Sequence, residues 1–137
     1  MHAHSGGWAH AIEISPDGRR VYVANFLDDT VAVFDADTLT LVSSLPTDCY
    51  PHGLDVSPDG KYLVTTGFGS DHVKIFDTAS HCELARVEVG AGSSHTAFAP
   101  DGTAWIGCSI SDHVAAVDLA SRACVARLRL AGSPVPH

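Results

Sequence analysis

Three histidines recur at nearly the same interval along the chain. They are His10, His52 and His95, which are separated by 42 and 43 residues. The nitrogen of a neutral imidazole is a common ligand of zinc, copper and iron, so three such rings at one place could hold a transition metal or a haem. Asp71 and Asp112 are candidates for accepting hydrogen bonds from the ring N–H groups and so orienting the rings. This chemistry requires a fold that carries the three histidines to one point.

The same histidines have a simpler interpretation, which we favour. A histidine that occurs once per repeat can bind the backbone of the neighbouring repeat and hold no ligand at all. His95 also precedes its turn by four residues, whereas His10 and His52 precede theirs by five, which argues against identical placement of the three rings. With this interpretation we expect no cofactor.

Other catalytic groupings are weaker. Ser93 and Ser94 adjoin His95, but the chain has no G-x-S-x-G elbow to activate a serine. Aspartates recur once per repeat at a strand end, which is typical of turn residues rather than of an acid–base pair; they are Asp35, Asp77 and Asp118. The glycines form no phosphate-binding loop. These observations favour a protein that is not an enzyme.

A four-residue turn motif sets the period of the chain. It reads Ser15-Pro16-Asp17-Gly18, then Ser57-Pro58-Asp59-Gly60, then Ala99-Pro100-Asp101-Gly102, each 42 residues after the last. Proline and aspartate suit the centre of a type I turn, and glycine accepts the left-handed conformation that follows. Such a turn closes a β-hairpin with a bulge.

Each repeat contains four strand patterns joined by short turns, which predicts an all-β propeller with three four-stranded antiparallel blades. The predicted blades are about 8–48, 49–91 and 92–132, and 133–137 is predicted to begin a further blade. The predicted strands are His10–Ser15, Arg20–Asn25, Thr30–Asp35, Leu39–Leu45, His52–Ser57, Tyr62–Gly67, His72–Asp77, Leu84–Val89, His95–Ala99, Ala104–Cys108, His113–Asp118 and Val125–Leu130.

A four-stranded meander decides which loops share a side. The segments before each first strand and the turns between second and third strands lie on one side, here named the lead-in side. The motif turns lie on the other, the hairpin side, where we also expect His81. Several polar and aromatic residues are predicted on the lead-in side near the three histidines: Trp8, Asp28, Asp29, Cys49, Tyr50, Asp71, His72, Asp112 and His113.

The repeats resemble a known family. The second repeat opens with Pro51-His52-Gly53-Leu54-Asp55-Val56-Ser57-Pro58-Asp59-Gly60, and the first has Tyr22-Val23-Ala24-Asn25 after its turn. This pattern is similar to the YVTN family of β-propeller repeats over about residues 10–130. Later copies depart from it at Val64-Thr65-Thr66-Gly67 and Trp105-Ile106-Gly107-Cys108.

The resemblance implies a bacterial periplasmic or extracellular protein. Our first functional hypothesis is a non-enzymatic binding or scaffold module that presents its lead-in side to a protein, a carbohydrate or a small molecule. More distantly, the chain is similar to cytochrome d1 and copper nitrous-oxide reductase propellers, which use channel-facing histidines. The alternative function is therefore the cofactor-bearing part of an oxidoreductase, with His10, His52 and His95 beside the cofactor.

Three blades are fewer than the four to eight that close a propeller. The sequence leaves three possibilities open: further blades in a longer chain, which we favour, a ring closed by a second copy, or an open stack with exposed edges.

Composition excludes several other classes. The chain has 137 residues and a formal charge of −8 without a basic cluster, which argues against nucleic acid as partner. No apolar run is long enough to span a membrane, and residues 1–7 lack the features of a secretory signal. The four cysteines form no C-x-x-C pair and are interpreted mainly as partly buried thiols that act as small hydrophobes, with a disulfide or metal role as the alternative; they are Cys49, Cys82, Cys108 and Cys124.

Overall fold

The computed structural model describes residues 8–47 and 50–129. Several features predicted from sequence lie outside these residues. They are Cys49, the boundary between the first two blades at 48 and 49, the further blade beginning at 133–137, and the terminal histidines His2, His4 and His137.

In the described part of the chain, twelve antiparallel strands form three four-stranded sheets, and each sheet is a meander in which neighbouring strands are consecutive. The described residues contain no helix, so none of that part of the chain has the long apolar helix needed to span a bilayer. The predicted all-β fold of three antiparallel blades is confirmed. The strands are β1 (Ala9–Ile14), β2 (Arg20–Asn25), β3 (Thr30–Asp35) and β4 (Leu41–Pro46) in blade 1; β5 (Pro51–Val56), β6 (Tyr62–Gly67), β7 (His72–Asp77) and β8 (Glu83–Glu88) in blade 2; and β9 (Ser93–Phe98), β10 (Ala104–Cys108), β11 (His113–Asp118) and β12 (Ala123–Arg129) in blade 3.

The motif turns have the predicted geometry. Gly18, Gly60 and Gly102 have φ of 74°, 77° and 90°, the left-handed region that glycine enters without steric cost. In the second copy, the Ser57 hydroxyl donates to Asp59 Oδ1 at 2.6 Å and accepts the backbone N–H of Tyr62 at 3.0 Å. These bonds lock the hairpin between β5 and β6.

The third turn is one residue shorter than the other two. The backbone N–H of Ala99 bonds the carbonyl of Thr103, whereas that of Ser57 bonds the carbonyl of Tyr62. Residues after the third turn therefore correspond to those 41, not 42, positions earlier. This explains why Trp105 occupies the place of Val64.

Valine at Gly60 should lower the free energy of unfolding by about 1–3 kcal/mol, because a β-branched residue is strained at positive φ. The added Cβ itself has room, since its nearest neighbour is Pro16 Cδ at 3.7 Å. Gly60→Asn is the matched control, because asparagine tolerates the left-handed region and should cost less. Equal melting temperatures for wild type and Gly60→Val would contradict this turn geometry.

The second and third strands of each blade have the predicted bounds, whereas the first and fourth strands differ from the predicted bounds by one or two residues. Leu39 was predicted to begin the fourth strand, but it has a φ of 58°, and its N–H bonds the carbonyl of Asp35 at 2.9 Å. Leu39 therefore closes the preceding turn, and β4 begins at Leu41.

The core lies between the sheets, because side chains along each strand alternate between the two neighbouring blades. On β6, Leu63 packs towards blade 1 and Val64 towards blade 3, and both are fully buried. The interface of blades 1 and 2 consists of Tyr22, Ala24, Val31, Val33, Leu45, Leu54, Val56, Leu63 and Phe76. The interface of blades 2 and 3 consists of Val64, Val73, Ile75, Val87, Val89, Ala104, Ile106, Cys108, Ala115, Val117 and Leu119.

The outer faces of blades 1 and 3 are apolar and lack a neighbouring blade among the described residues. Phe34 lies on the outer face of blade 1 at the position that Phe76 occupies in blade 2, where it packs against blade 1. A groove of about 450 Å³ lies on this face, and its walls include residues of β1 and of the turn after β3. On blade 3, Trp105 is 37% exposed at the position of the buried Tyr22 and Val64. The outer face of blade 1 is thus equivalent to the face of blade 2 that packs against the preceding blade. The outer face of blade 3 is equivalent to the face of blade 2 that packs against the following blade.

Candidate functional site: an aromatic and histidine surface

A β-bulge at the start of each first strand sets the positions of the histidines. In β1, Ala9 pairs with Asn25 and Ala11 with Ala24, so His10 is the extra residue. The register of β5 is irregular over the same stretch, around His52. In β9 the corresponding place belongs to Ser94, and His95 follows it. Bulges redirect side chains out of the regular pleat, and in β1 and β5 the irregularity falls at the histidine itself.

The structure brings the three histidines together. The ring centroids of His10 and His52 are 4.3 Å apart, and those of His52 and His95 are 4.8 Å apart. His52 lies in the middle, with Nδ1 at 3.0 Å from the carbonyl oxygen of Ser94 in the next blade. One histidine therefore makes the bond to a neighbouring backbone that the simpler interpretation expects, while all three rings still form one row.

A close backbone approach allows this row to form. A Cβ added to Gly53 would lie 2.5 Å from the carbonyl oxygen of Ser94 and 3.1 Å from the Cα of His95. The Thr66 hydroxyl connects the same two segments, because it accepts the N–H of Gly53 and lies 2.9 Å from the Ser94 carbonyl oxygen. Gly53 is thus a positioning residue for the row, and sequence reasoning did not single it out.

Four aromatic rings extend the row. Phe26 stacks on Tyr50 with centroids 5.0 Å apart and on His10 at 5.5 Å. Trp8 meets the edge of Phe26 at 5.2 Å, and Phe68 lies 5.9 Å from His52. We name the whole set the aromatic–histidine surface; it consists of Trp8, His10, Phe26, Tyr50, His52, Phe68 and His95.

The surface is exposed and its backbone is unusual. Trp8 is 60% exposed, Tyr50 48% and Phe68 38%. Trp8 and Tyr50 have φ of 50° and 57°, a region that bulky residues rarely enter and that concentrates at functional sites. In blade 3 the corresponding residue is Gly92, with a φ of 72°, so only blades 1 and 2 contribute aromatic rings here.

Two members of the surface were missed from the sequence. Phe26 and Phe68 each follow the second strand of their blade, 42 residues apart. Their backbone N–H groups bond the carbonyls of Trp8 and Tyr50, each at 2.9 Å. The 42-residue recurrence of phenylalanine was the available signal.

The second group of predicted site residues lies in the turns between second and third strands and at the first positions of the third strands. His113 Nε2 is 2.8 Å from the carbonyl oxygen of Val89, so this ring bonds the neighbouring blade. His72 Nδ1 is 3.1 Å from Asp71 Oδ1. Asp112 lies at a φ of 59° in the turn before β11.

The candidate serines and the recurring aspartates form hydrogen bonds within the fold. The buried hydroxyl of Ser93 donates to the carbonyl of Gly67 at 3.0 Å, and that of Ser94 lies 2.7 Å from the hydroxyl of Ser109. The recurring aspartates accept backbone N–H groups in their own turns, as at Asp118, which accepts the N–H of Ser121 at 2.9 Å. The hydrogen bond from the Ser121 side chain, followed by the one from its backbone N–H, holds the pKa of the Asp118 carboxyl below its ordinary value.

Burial disfavours the charged form of the central ring, His52. Burial lowers the pKa of His52 from its ordinary value of 6.5, and the neighbouring His10 and His95 lower it further, against the opposing effect of the Ser94 carbonyl. Within residues 8–47 and 50–129, no group of three or more His, Cys, Asp or Glu side chains is arranged to hold a metal ion. A metal bound by the three histidines stays a prediction.

We expect proton NMR of the His52 ring to give a pKa below 6.5. Because the unfolded chain then binds the proton more readily, stability should be retained above pH 6.5 and decrease as the pH falls through the folded pKa. His52→Gln should weaken this dependence in denaturation curves between about pH 5 and 7. A midpoint above 6.5 would contradict the burial of this ring.

A family model described as a YNCE-like beta-propeller matches residues 2–105. The chain belongs to the YNCE-like β-propeller family. The YVTN-type resemblance of the sequence is thereby confirmed, and the meander of this YNCE-like chain is the propeller blade predicted from it. No curated protein matches the sequence.

Solved propeller structures superimpose closely on this YNCE-like chain. Hydrazine synthase of Kuenenia stuttgartiensis is 25% identical, with a TM-score of 0.86 over 96% of this chain and 38% of its own. A structure of U3-55K is 18% identical, with a TM-score of 0.83 over 95% of this chain and 41% of its own. The chain thus spans about two fifths of the length of either structure.

Proposed function

We propose that the protein is a non-enzymatic binding module whose ligand lies on the aromatic–histidine surface. The observation that carries the proposal is the continuous contact of seven rings, of which Trp8 and Tyr50 are largely exposed. Exposed aromatic patches of this kind mark interaction sites more often than isolated hydrophobic residues do. The occupied hydroxyls of Ser93 and Ser94 favour binding over nucleophilic catalysis.

Saturation-transfer NMR with three defined probes, indole, phenol and cellohexaose, tests this proposal. We expect at least one probe to receive magnetisation from the wild-type protein and to lose it with the Trp8→Ala/Tyr50→Ala double variant. Trp105→Ala is the control, because this tryptophan is also exposed but lies on the outer face of blade 3. No transfer to any probe, or equal transfer with the double variant, would overturn the proposal.

A second candidate function is the cofactor-bearing part of an oxidoreductase. The adjacency of His10, His52 and His95 supports it, as does the similarity to a structure named hydrazine synthase. One of these imidazoles could bind the iron of a haem, which would supply electron-transfer chemistry there, and the neighbouring aromatic rings could pack against the haem. A visible absorption band of the purified protein, or haemin binding that His52→Ala abolishes, favours this candidate; a colourless protein that does not bind haemin excludes it.

We further propose that the outer faces of blades 1 and 3 receive further propeller blades, from a longer chain or from a second copy. The support is the match between Phe34 and Phe76, and between Trp105 and Tyr22, as equivalent positions of one interface. Light scattering of the 137-residue chain should give a mass above that of one chain, which Phe34→Asp reduces. Leu27→Asp, on the lead-in side, is the control and should leave the mass unchanged. A stable monomer would contradict a second copy as the occupant and leave further blades of a longer chain.

A periplasmic or extracellular location is proposed from the YVTN resemblance alone. Fractionation of the source cells with an antibody against the protein tests it. Recovery in the cytoplasmic fraction would overturn the proposal.

A further inference from the structure

A separate cleft opens on the lead-in side between blades 2 and 3. Its volume is about 550 Å³, within the range of sites that bind small molecules. The residues that line it include no lysine and no arginine; they are Phe68, Gly69, Ser70, Asp71, His72, Ala91, Gly92 and Ile110. Phe68 belongs to both this cleft and the aromatic–histidine surface, so the two are continuous.

Blade 3 has a glycine at the position where blades 1 and 2 have an aromatic residue, and this difference opens the cleft. Gly92 stands where Trp8 and Tyr50 stand in the other blades, and its carbonyl likewise bonds the residue after the second strand, Ser109, at 3.0 Å. Ile110 Cγ1 would lie 2.6 Å from a Cβ on Gly92. Glycine at this place therefore removes a ring and lets Ile110 form one wall of the cleft.

The walls combine apolar surface with one negative charge. Ile110 is 64% exposed and Phe68 38% exposed. The Asp71 side chain is 63% exposed, and it is the only carboxylate lining the cleft among the described residues. A cation is attracted both to a carboxylate and to the face of an aromatic ring, whereas an anion would be repelled by the Asp71 charge. Of the lining residues, His72 can offset that charge when it is protonated, since its Nδ1 lies 3.1 Å from Asp71 Oδ1.

We propose that this cleft binds a guanidinium or ammonium group carried on a short apolar stem. The cation lies between the Asp71 carboxylate and the Phe68 ring, and the stem packs against Ile110. The group belongs either to a small amine or to an arginine or lysine side chain of a protein partner. The inference rests on the proposed binding function and names the ligand chemistry at one end of the same surface.

The first measurement compares n-butylguanidinium with N-butylurea, its uncharged isostere. We expect saturable shifts of the Phe68 and Ile110 NMR signals with n-butylguanidinium, and binding of N-butylurea about tenfold weaker, which is the combined size of an exposed cation–π contact and ion pair. The difference should shrink at high salt, because ions screen exposed charges. Equal binding of the two probes would overturn the proposal.

Variants assign the effect to the cleft. Asp71→Asn should remove the preference for the cation, and Phe68→Leu should weaken it. Asp37→Asn is the matched control, because it removes the same charge from an exposed turn on the hairpin side. Melting curves of each variant verify folding. A preference that survives Asp71→Asn, or that Asp37→Asn abolishes equally, would overturn the proposal.

A peptide series separates the two sources of the cation. Acetyl-Gly-Arg-Gly-amide binding far more tightly than n-butylguanidinium indicates a protein partner, and equal affinity indicates a small amine. Acetyl-Gly-citrulline-Gly-amide is the uncharged control. If indole, phenol or cellohexaose binds the aromatic–histidine surface while the cationic probes show no preference, this inference fails and the proposed binding function stands.

Discussion

Phe76→Ala should lower the free energy of unfolding by about 3–5 kcal/mol, the usual cost of deleting a fully buried phenylalanine ring. Phe76 is 1% exposed in the core between blades 1 and 2. Its ring contacts both sheets, so its removal leaves a cavity that neither sheet can fill alone. Urea denaturation followed by circular dichroism measures the change.

Phe34→Ala is the matched control, since Phe34 has the same position in blade 1 but faces away from blade 2. Its loss should be smaller, because the outer face has no second sheet among the described residues to complete the packing. Equal losses for the two variants would show that the single sheet, and not the stacking of blades, supplies the burial.

Gly53→Ala should lower the free energy of unfolding by about 1–3 kcal/mol, the cost of overpacking a well-packed site. The added methyl group would meet the backbone of Ser94 and His95, and backbone atoms cannot move aside as a flexible side chain can. We expect blade 3 to shift away from β5, which would separate the His52 ring from the His95 ring. The loss of their ring-to-ring NOE reports that shift.

The control for this variant is Gly107→Ala, on the strand beside His95. A Cβ at Gly107 would have His95 O as its nearest neighbour, at 4.0 Å, so the change should stay within about 0.5 kcal/mol. If Gly107→Ala destabilises the protein as much as Gly53→Ala, the close contact at Gly53 does not determine the position of blade 3.

The fold could be predicted from sequence because its determinants are local and repeated. A proline, an aspartate and a glycine specify each hairpin within four residues, and the 42-residue period reveals the blade. The short third hairpin was harder to detect, since the loss of one residue after Gly102 leaves the motif itself unchanged. Its effect is a shifted register, which moves Trp105 to the position of Val64.

The candidate site could be predicted only in part because it is built from contacts between blades. Topology alone was sufficient to place His10, His52 and His95 on one side of the molecule. The contribution of Phe26 and Phe68 depends on the left-handed backbone at Trp8 and Tyr50, which brings each carbonyl to a phenylalanine N–H. That conformation is rare for bulky residues, so sequence patterns give no basis for expecting it.

Nuclear Overhauser effects between the histidine rings test the central claim most directly. In protein carrying ring-labelled histidine, the His52 ring protons should show NOEs to both the His10 ring and the His95 ring, as expected from centroid separations of 4.3 and 4.8 Å. Each ring should also show NOEs within its own strand, which verifies the assignments. NOEs within the strands but none between His52 and either neighbour would contradict the stacking of three blades that gathers these rings into one surface.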